Sequence, residues 1–251
     1  MGIFLDFRKG RAEIMIFAMV LAGGIGSRMG SGDKPKQYLL LNGKPVIVHT
    51  IEKISLYNDF KKVIVLCPKD WTEYTKKLLK DNLSAENYKE IVILPGGSTR
   101  NETIMNGIQY IEKEYGSDKD TIIVTHDAAR PFINKRIISD NIEYTKKFGA
   151  ATTAVGATDT ILVADKDNLI EKIPDRNYMY QCQTPQTFYA GQLKEMYESL
   201  SEDDKEVLTD ASKILLLNGQ KIAIVRGERY NIKLTYPEDM IMAEALIKCY
   251  L

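Results

Sequence analysis

Unbroken apolar runs alternate with amphipathic stretches along most of this chain. Residues 15–22 (MIFAMVLA) form an apolar run that ends in glycines, as a strand covered on both faces should. Similar runs follow at 62–67 (KVIVLC), 91–94 (IVIL) and 121–124 (TIIV), and 152–157 predicts a further strand. Helical spacing separates them at 46–56, 72–82, 103–115 and 135–148. Thr99, with Glu102 three residues on, fits a capping box that opens the third of these helices. Buried strands alternating with helices predict an α/β fold: a doubly wound, mostly parallel, Rossmann-like sheet with its ligands at the carboxyl ends of the strands.

The texture changes after residue 157. Residues 158–188 carry short alternating pieces, turn signals and many polar groups, which predicts a β-hairpin or arm projecting from the sheet. Helices at 191–200 and 209–218 and a strand at 221–225 come next. Thr235 and Glu238 repeat the capping-box spacing, and Pro237 sits early in a final helix over 238–250. Residues 1–14 mix acids and bases among apolar residues and lack the apolar core of a signal peptide; Asp6 stands where a myristoylation signal needs Ser or Thr. They read as a leader of unknown role before a single domain over 15–251. No run of about 18 apolar residues predicts a membrane span.

Composition narrows the function. Thirty-four Lys and Arg balance 34 Asp and Glu, which argues against a polybasic nucleic-acid binder and leaves room for a local basic pocket. Cys67, Cys182 and Cys249 lie far apart, and with only two histidines a structural zinc site or disulfide scaffold is not expected. Reduced thiols in a cytoplasmic protein are the plain expectation.

The candidate chemistry lies at strand ends. Leu21-Ala22-Gly23-Gly24-Ile25-Gly26 follows the first strand, with Arg28 beyond it and Lys36 in the segment Lys34-Pro35-Lys36-Gln37-Tyr38. Glycines let backbone N–H groups approach a phosphate closely, and two cations add to the attraction. An ordinary strand-to-turn connection is the competing reading. The spacing is neither a Walker A loop nor a complete GxGxxG, which disfavours a dinucleotide oxidoreductase. His126-Asp127-Ala128-Ala129-Arg130 ends the fourth run. Asp127 there suits a hard cation such as Mg²⁺, which takes one or two carboxylates plus substrate phosphates, although an isolated Asp after a strand is more often a cap. Gly96-Gly97-Ser98-Thr99-Arg100 leads into a helix N-terminus, which favours an anion or merely marks a turn. Thr160, Arg176, Thr184, Thr209 and Lys233 supply donors and cations that, as a set, suit a phosphorylated polyol.

In order along the chain, LAGGIGSRMG, PKQY, GGSTRNET, THDAARPF, QTPQTF, TDASK and NIKLTYPEDM resemble the motifs of the cytidylyltransferases that activate sugar-alcohol phosphates. The resemblance implies a nucleotidyltransferase that binds CTP and Mg²⁺. In it, the backbone of Leu21, Ala22, Gly23, Gly24, Ile25 and Gly26 cradles the CTP phosphates, and Arg28 and Lys36 contact them and stabilise the transition state. Asp127 holds the metal beside Ala128, while Gly96, Arg100 and Thr103 sit by the cytosine and ribose. Arg130, Thr160, Arg176, Thr184, Thr209 and Lys233 hold the second substrate, with Lys233 also catalytic. A homodimer formed through the 158–188 arm is implied as well.

Within this resemblance, Arg130-Pro131-Phe132 and the segment 179–186 (MYQCQTPQ) look like the branch acting on ribitol 5-phosphate for teichoic-acid or capsule polymers. Leu162 stands near the Asp159-Thr160 pair where the methylerythritol-phosphate branch of isoprenoid synthesis usually carries Lys. Against this, Asp127-Ala128-Ala129-Arg130 reads like the methylerythritol branch, and Cys182 departs from the Gly associated with its position. The expectation is cytidylyl transfer from CTP to D-ribitol 5-phosphate, with 2-C-methyl-D-erythritol 4-phosphate as the alternative acceptor. A CTP-binding homologue without turnover is the alternative of another class. Neither nucleic acid nor membrane is an expected partner.

Overall fold

The computed structural model describes residues 14–24, 34–116, 120–208 and 210–250. Its strands are β1 (Ile16–Leu21), β2 (Leu40–Leu41), β3 (Lys44–Pro45), β4 (Lys62–Cys67), β5 (Ile91–Pro95), β6 (Ile122–Asp127), β7 (Ala150–Gly156), β8 (Val163–Ala164), β9 (Ile170–Lys172), β10 (Tyr180–Tyr189) and β11 (Ala223–Arg226). The helices are α1 (Val46–Ser55), α2 (Thr72–Asn82), α3 (Ala85–Lys89), α4 (Arg100–Tyr115), α5 (Lys135–Phe148), α6 (Ala190–Glu198), α7 (Glu202–Glu206), α8 (Ala211–Leu217) and α9 (Pro237–Tyr250). A seven-stranded sheet runs β11-β7-β10-β6-β1-β4-β5, with β10 antiparallel to both its neighbours and the other pairings parallel.

Strand β1 shows why the sheet is covered on both sides. Ile16, Ala18 and Val20 face one layer with Ile47, Ile51, Leu79, Ile137 and Ile142, whereas Phe17 and Met19 face the other with Ile104, Ile108, Phe188 and Ile214. Removing each large aliphatic side chain from water contributes roughly 1.5–3 kcal/mol, so neither face of a central strand can be polar. Helix α4 crosses β1 closely at Gly107, where a Cβ would come within 2.8 Å of Met19 Sδ.

The predicted strands and helices are present, with boundaries shifted by up to about three residues, and the predicted α/β class stands. One expectation is corrected. The segment 158–188 is not all arm: the small β8–β9 hairpin and a turn end by Met179, and Tyr180–Tyr189 returns as an internal strand of the main sheet. Its polar sequence and Pro185 mask it as a strand. Side chains from other elements reach its backbone carbonyls: Asn141 Nδ2 donates to Thr153 Oγ, which donates to Pro185 O at 2.8 Å, and Thr145 Oγ donates to Thr187 O at 3.2 Å. A register shift between Cys182 and Gln186 accommodates the proline.

The caps also differ in detail. Thr99 Oγ accepts from Glu102 N–H as expected, but the Glu102 carboxylate reaches Ser98 N–H at 2.9 Å. At α9 it is Asp239, rather than Glu238, that accepts from Thr235 N–H and Tyr236 N–H, at 2.6 and 2.8 Å.

Candidate active site

The register of β1 against β6 pairs Leu21 with Asp127, so the glycine-rich turn and the acid meet at one sheet edge. Ala128 N–H donates to Leu21 O at 3.0 Å and Ala22 N–H to Leu66 O at 2.8 Å, fixing both chain exits. A cleft of about 350 Å³ opens there, lined by Leu21, Ala22, Gly23, Gly24, Lys36, Gln37, the 97–100 turn, Thr103, Asp127, Ala128, Ala129, Lys233 and Thr235.

Lys36 enters this cleft from a buried 3-10 turn (Lys36–Tyr38). Gln37 Nε2 donates to Ala22 O at 2.6 Å, which ties the turn to the end of β1. The Tyr38 hydroxyl lies 2.6 Å from Thr75 Oγ, and its ring stacks on Trp71. The Lys36 backbone is thus held by groups that no local pattern singles out, although Gln37 and Tyr38 stand within the PKQY motif.

Asp127 is the centre of charge. Lys233 Nζ lies 3.0 Å and Arg130 Nε 3.2 Å from its Oδ2, and Arg100 Nη2 lies 3.8 Å from Oδ1. Burial alone would raise the carboxyl pKa, but the charges of Arg100, Lys233 and Arg130 outweigh it and hold the group well below the usual carboxylate range. Asp127 is therefore an anion ringed by cations. Arg100 also lines the cleft, and its buried Nη1 has no hydrogen-bond partner among the described residues.

The donor set fits Mg²⁺ in a limited way. Among the described residues the charged contact at Oδ1 is the longer one to Arg100, and Asp127 lines the cleft, so this carboxylate can take an ion whose other ligands would be phosphates and water. Among the described residues no group of three or more His, Cys, Asp and Glu gathers as a metal cage.

A second cleft of about 340 Å³ adjoins the first and shares Lys233. Arg130, Arg229, Thr158, Gln181 and Gln183 line it, and among the described residues no carboxylate does. Arg130 Nη1 donates to Asn231 O at 3.0 Å, and Leu234 N–H donates to Ala129 O at 2.9 Å, so the segment bearing Lys233 is clamped onto the turn after β6. Arg229 was legible only as a charge in a loop; nothing in the local pattern distinguished it.

The predicted site residues divide accordingly. Leu21, Ala22, Gly23, Gly24, Lys36, Arg100, Thr103, Asp127, Ala128 and Lys233 come together in the first cleft, and Arg130 joins Lys233 in the second. Gly96 lines neither cleft; it packs behind Thr103, where a Cβ would fall 3.0 Å from Oγ. The Thr103 hydroxyl itself is taken up by the turn, accepting from Gly97 N–H and donating to Thr99 O. Thr184 is buried, outside both linings, with Oγ accepting from Asp127 N–H at 3.1 Å and lying 2.9 Å from His126 Nδ1, so its hydroxyl is spent within the protein. Thr160 and Arg176 lie on the arm and line neither cleft of their own chain; Arg176 Nη1 donates to Thr158 O at 2.7 Å. Ile25, Gly26, Arg28 and Thr209 lie outside the described residues.

A mostly parallel sheet whose first and fourth runs end in a glycine turn, a buried lysine and a caged carboxylate defines the nucleotidyltransferase type of α/β fold. The profile of the IspD family, 2-C-methyl-D-erythritol 4-phosphate cytidylyltransferase, matches residues 16–249, and the chain belongs to this family. Solved structures agree. The 4-diphosphocytidyl-2C-methyl-D-erythritol synthase of Anaerococcus prevotii is 27% identical, with 94% of this chain and 96% of that one covered at a TM-score of 0.75. The 2-C-methyl-D-erythritol 4-phosphate cytidylyltransferase of Francisella tularensis is 29% identical, covering 92% and 99% at a TM-score of 0.74. No helix among the described residues is long and apolar enough to cross a membrane.

Proposed function

We propose that this protein transfers a cytidylyl group from CTP to a polyol phosphate and releases pyrophosphate. The single observation that carries the reading is the pair of joined clefts: one offers backbone, Lys36, Arg100 and the Asp127 carboxylate, the other offers Arg130, Arg229 and Lys233 with no carboxylate among its described lining residues. A phosphate oxygen of the acceptor attacks the α-phosphorus of CTP in line, the bond from that phosphorus to the bridging oxygen breaks, and pyrophosphate leaves with the electron pair. The acceptor phosphate is ionised near neutral pH, so this chain need supply no nucleophile and no strong base. Lys36 and Lys233 sit where they can offset charge growing on the phosphates, and Arg28, from the glycine-rich motif, is assigned to the same task. Asp127 would hold Mg²⁺ through Oδ1, and the ion would neutralise phosphate charge when bound.

For the acceptor, the names of the relatives support 2-C-methyl-D-erythritol 4-phosphate. D-Ribitol 5-phosphate is the second reading, favoured by Arg130-Pro131-Phe132, the segment 179–186 and Leu162. Pyrophosphate release measured with CTP, Mg²⁺ and each acceptor in parallel separates them. Turnover with one alone names the acceptor, and silence with both, despite CTP binding, points to another polyol phosphate or to a CTP-binding homologue without turnover.

A second copy of the chain is the partner that best fits the arm. Leu169 is 67% exposed and Tyr178 76% exposed, with Leu162, Ile170 and Ile173 beside them in sequence also exposed. Apolar side chains concentrated in one small hairpin suit an interface. Sedimentation of the full chain at micromolar concentration is expected to give a dimer, and a monomer at all concentrations would remove this assignment.

A further inference from the structure

His126 stands one residue before Asp127 in β6, fully buried, and the reaction proposed above leaves it without a task. Its hydrogen bonds have a direction that can be worked out. Nε2 lies 3.0 Å from Arg130 O, and a carbonyl only accepts, so Nε2 carries the proton. In a neutral ring Nδ1 then presents a lone pair, and Thr184 Oγ, 2.9 Å away, must donate to it. Having given its proton, Thr184 Oγ is left as the acceptor for Asp127 N–H at 3.1 Å.

We infer that His126, as the Nε2–H tautomer, and Thr184 together form a positioning relay that aligns Asp127 and Arg130 in the active cleft. The relay runs from Asp127 N–H through Thr184 and the imidazole to Arg130 O, and it closes behind a turn in which Arg130 N–H also donates to Asp127 O at 3.1 Å. On the cleft side the same two residues meet again, Arg130 Nε to Asp127 Oδ2. The relay also reaches the other cation. Asn231 Nδ2 donates to Thr184 O at 3.0 Å, and Asn231 lies two residues from Lys233. Rotation of the Thr184 hydroxyl or of the ring would release the Asp127 amide and the Arg130 carbonyl together, and with them the carboxylate geometry that the cleft presents. Thr184 acts in this way from β10, the strand that inserts beside β6.

The inference rests on the proposed cytidylyl transfer for its kinetic readout, and has a second readout that does not. Thr184→Val keeps the shape and removes the hydroxyl, whereas Thr184→Ser keeps the hydroxyl. The expected result is a kcat about tenfold lower for Thr184→Val, with the KM for CTP within about twofold, and recovery of most of the loss in Thr184→Ser. Equal kcat for Val and wild type, or a Ser variant no better than Val, overturns the relay. Independently, long-range ¹H–¹⁵N correlation spectra of the full chain labelled at histidine nitrogen, with His49→Gln to assign the two rings, are expected to show His126 protonated at Nε2 alone near neutral pH. A proton on Nδ1 overturns the inference even if the enzyme is fully active. Should the wild type turn over neither acceptor, the kinetic readout is lost, and the spectrum alone decides whether the relay exists.

Discussion

The two clefts lie side by side and share Lys233, yet only the first has a carboxylate among its described lining residues. The first places an anion, Asp127, among three cations and surrounds it with backbone from a strand end. The second takes Arg130 and Lys233 from that cluster, adds Arg229, and among the described residues has no carboxylate in its own lining. A site that must hold a polyphosphate with its counter-ion benefits from a fixed carboxylate, which adds a hard oxygen and keeps the cations apart and oriented. A site for a single phosphate needs only donors. The contrast shows how one loop, 127–130, serves both: Asp127 faces the first cleft while Arg130 spans from that carboxylate to Asn231 O beside the second.

The strongest way to break this contrast is at Lys36. Lys36→Ala is expected to lower the rate of pyrophosphate release by on the order of 10²–10³ with an unchanged circular dichroism spectrum, by analogy with the loss of one oxyanion donor. A near-normal rate would remove Lys36 from the chemistry of the first cleft.

Asp127→Asn tests whether the carboxylate also holds the first cleft together. It leaves Arg100, Arg130 and Lys233 facing one another, and urea unfolding is expected to show a loss of roughly 2–3 kcal/mol. This sits below the range for a dry ion pair because the Lys233 side chain keeps 40% of its surface in solvent. Unchanged stability would mean that solvent screens the cluster completely.

Acid sharpens the role of the layer behind the clefts. Burial pushes the His126 pKa down to about 4, and burial lowers that of His49 as well. Below about pH 6.5 the unfolded chain takes up a proton that folded His126 refuses until about pH 4, so stability is full above that window and declines as pH falls through it. Between pH 7.5 and 5 His126 alone is expected to remove about 2 kcal/mol, with His49 adding in the same direction. Asp127 acts in the same direction at lower pH: its depressed pKa stabilises the fold above the ordinary carboxylate range, and that contribution is lost only in stronger acid. Thermal unfolding of the ligand-free protein against pH reads the slope, and a flat curve between pH 7.5 and 5 would contradict a neutral, buried His126.

The smallest effect is expected in the second cleft. Arg229→Ala should raise the KM for the acceptor by about tenfold and leave the KM for CTP unchanged, since about 1.4 kcal/mol is a modest share for one charge-assisted contact in an open site. Equal effects on both substrates would show that the clefts do not divide the work.

Much of this was legible in the chain because it is local. An apolar run ending in glycine predicts β1 and the turn after it, and Asp127 at the end of another run predicts an acid at the same sheet edge. The parallel pairing that sets Leu21 beside Asp127 then follows from the fold class. Residues that depend on distant partners were not legible. Thr184 reads as a substrate ligand from its motif, whereas its hydroxyl is consumed by Asp127 and His126, more than 50 positions away. Gln37 gains its role only because Ala22 O lies within reach, and Arg229 only because its loop folds against the end of β7 and β10.

The sequence by itself determined the alternation of buried strands and helices, the glycine turn, and the set of cations and the acid that would sit at strand ends, because periodicity and turn chemistry act over a few residues. Only the tertiary structure decided that Tyr180–Tyr189 enters the sheet between β6 and β7, that one carboxylate is shared by three cations, and that the Thr184 hydroxyl is taken up inside the protein. A polar strand can be buried only when its hydrogen-bonding groups find partners from elsewhere in the chain, and those partners are fixed by packing, which no local pattern records.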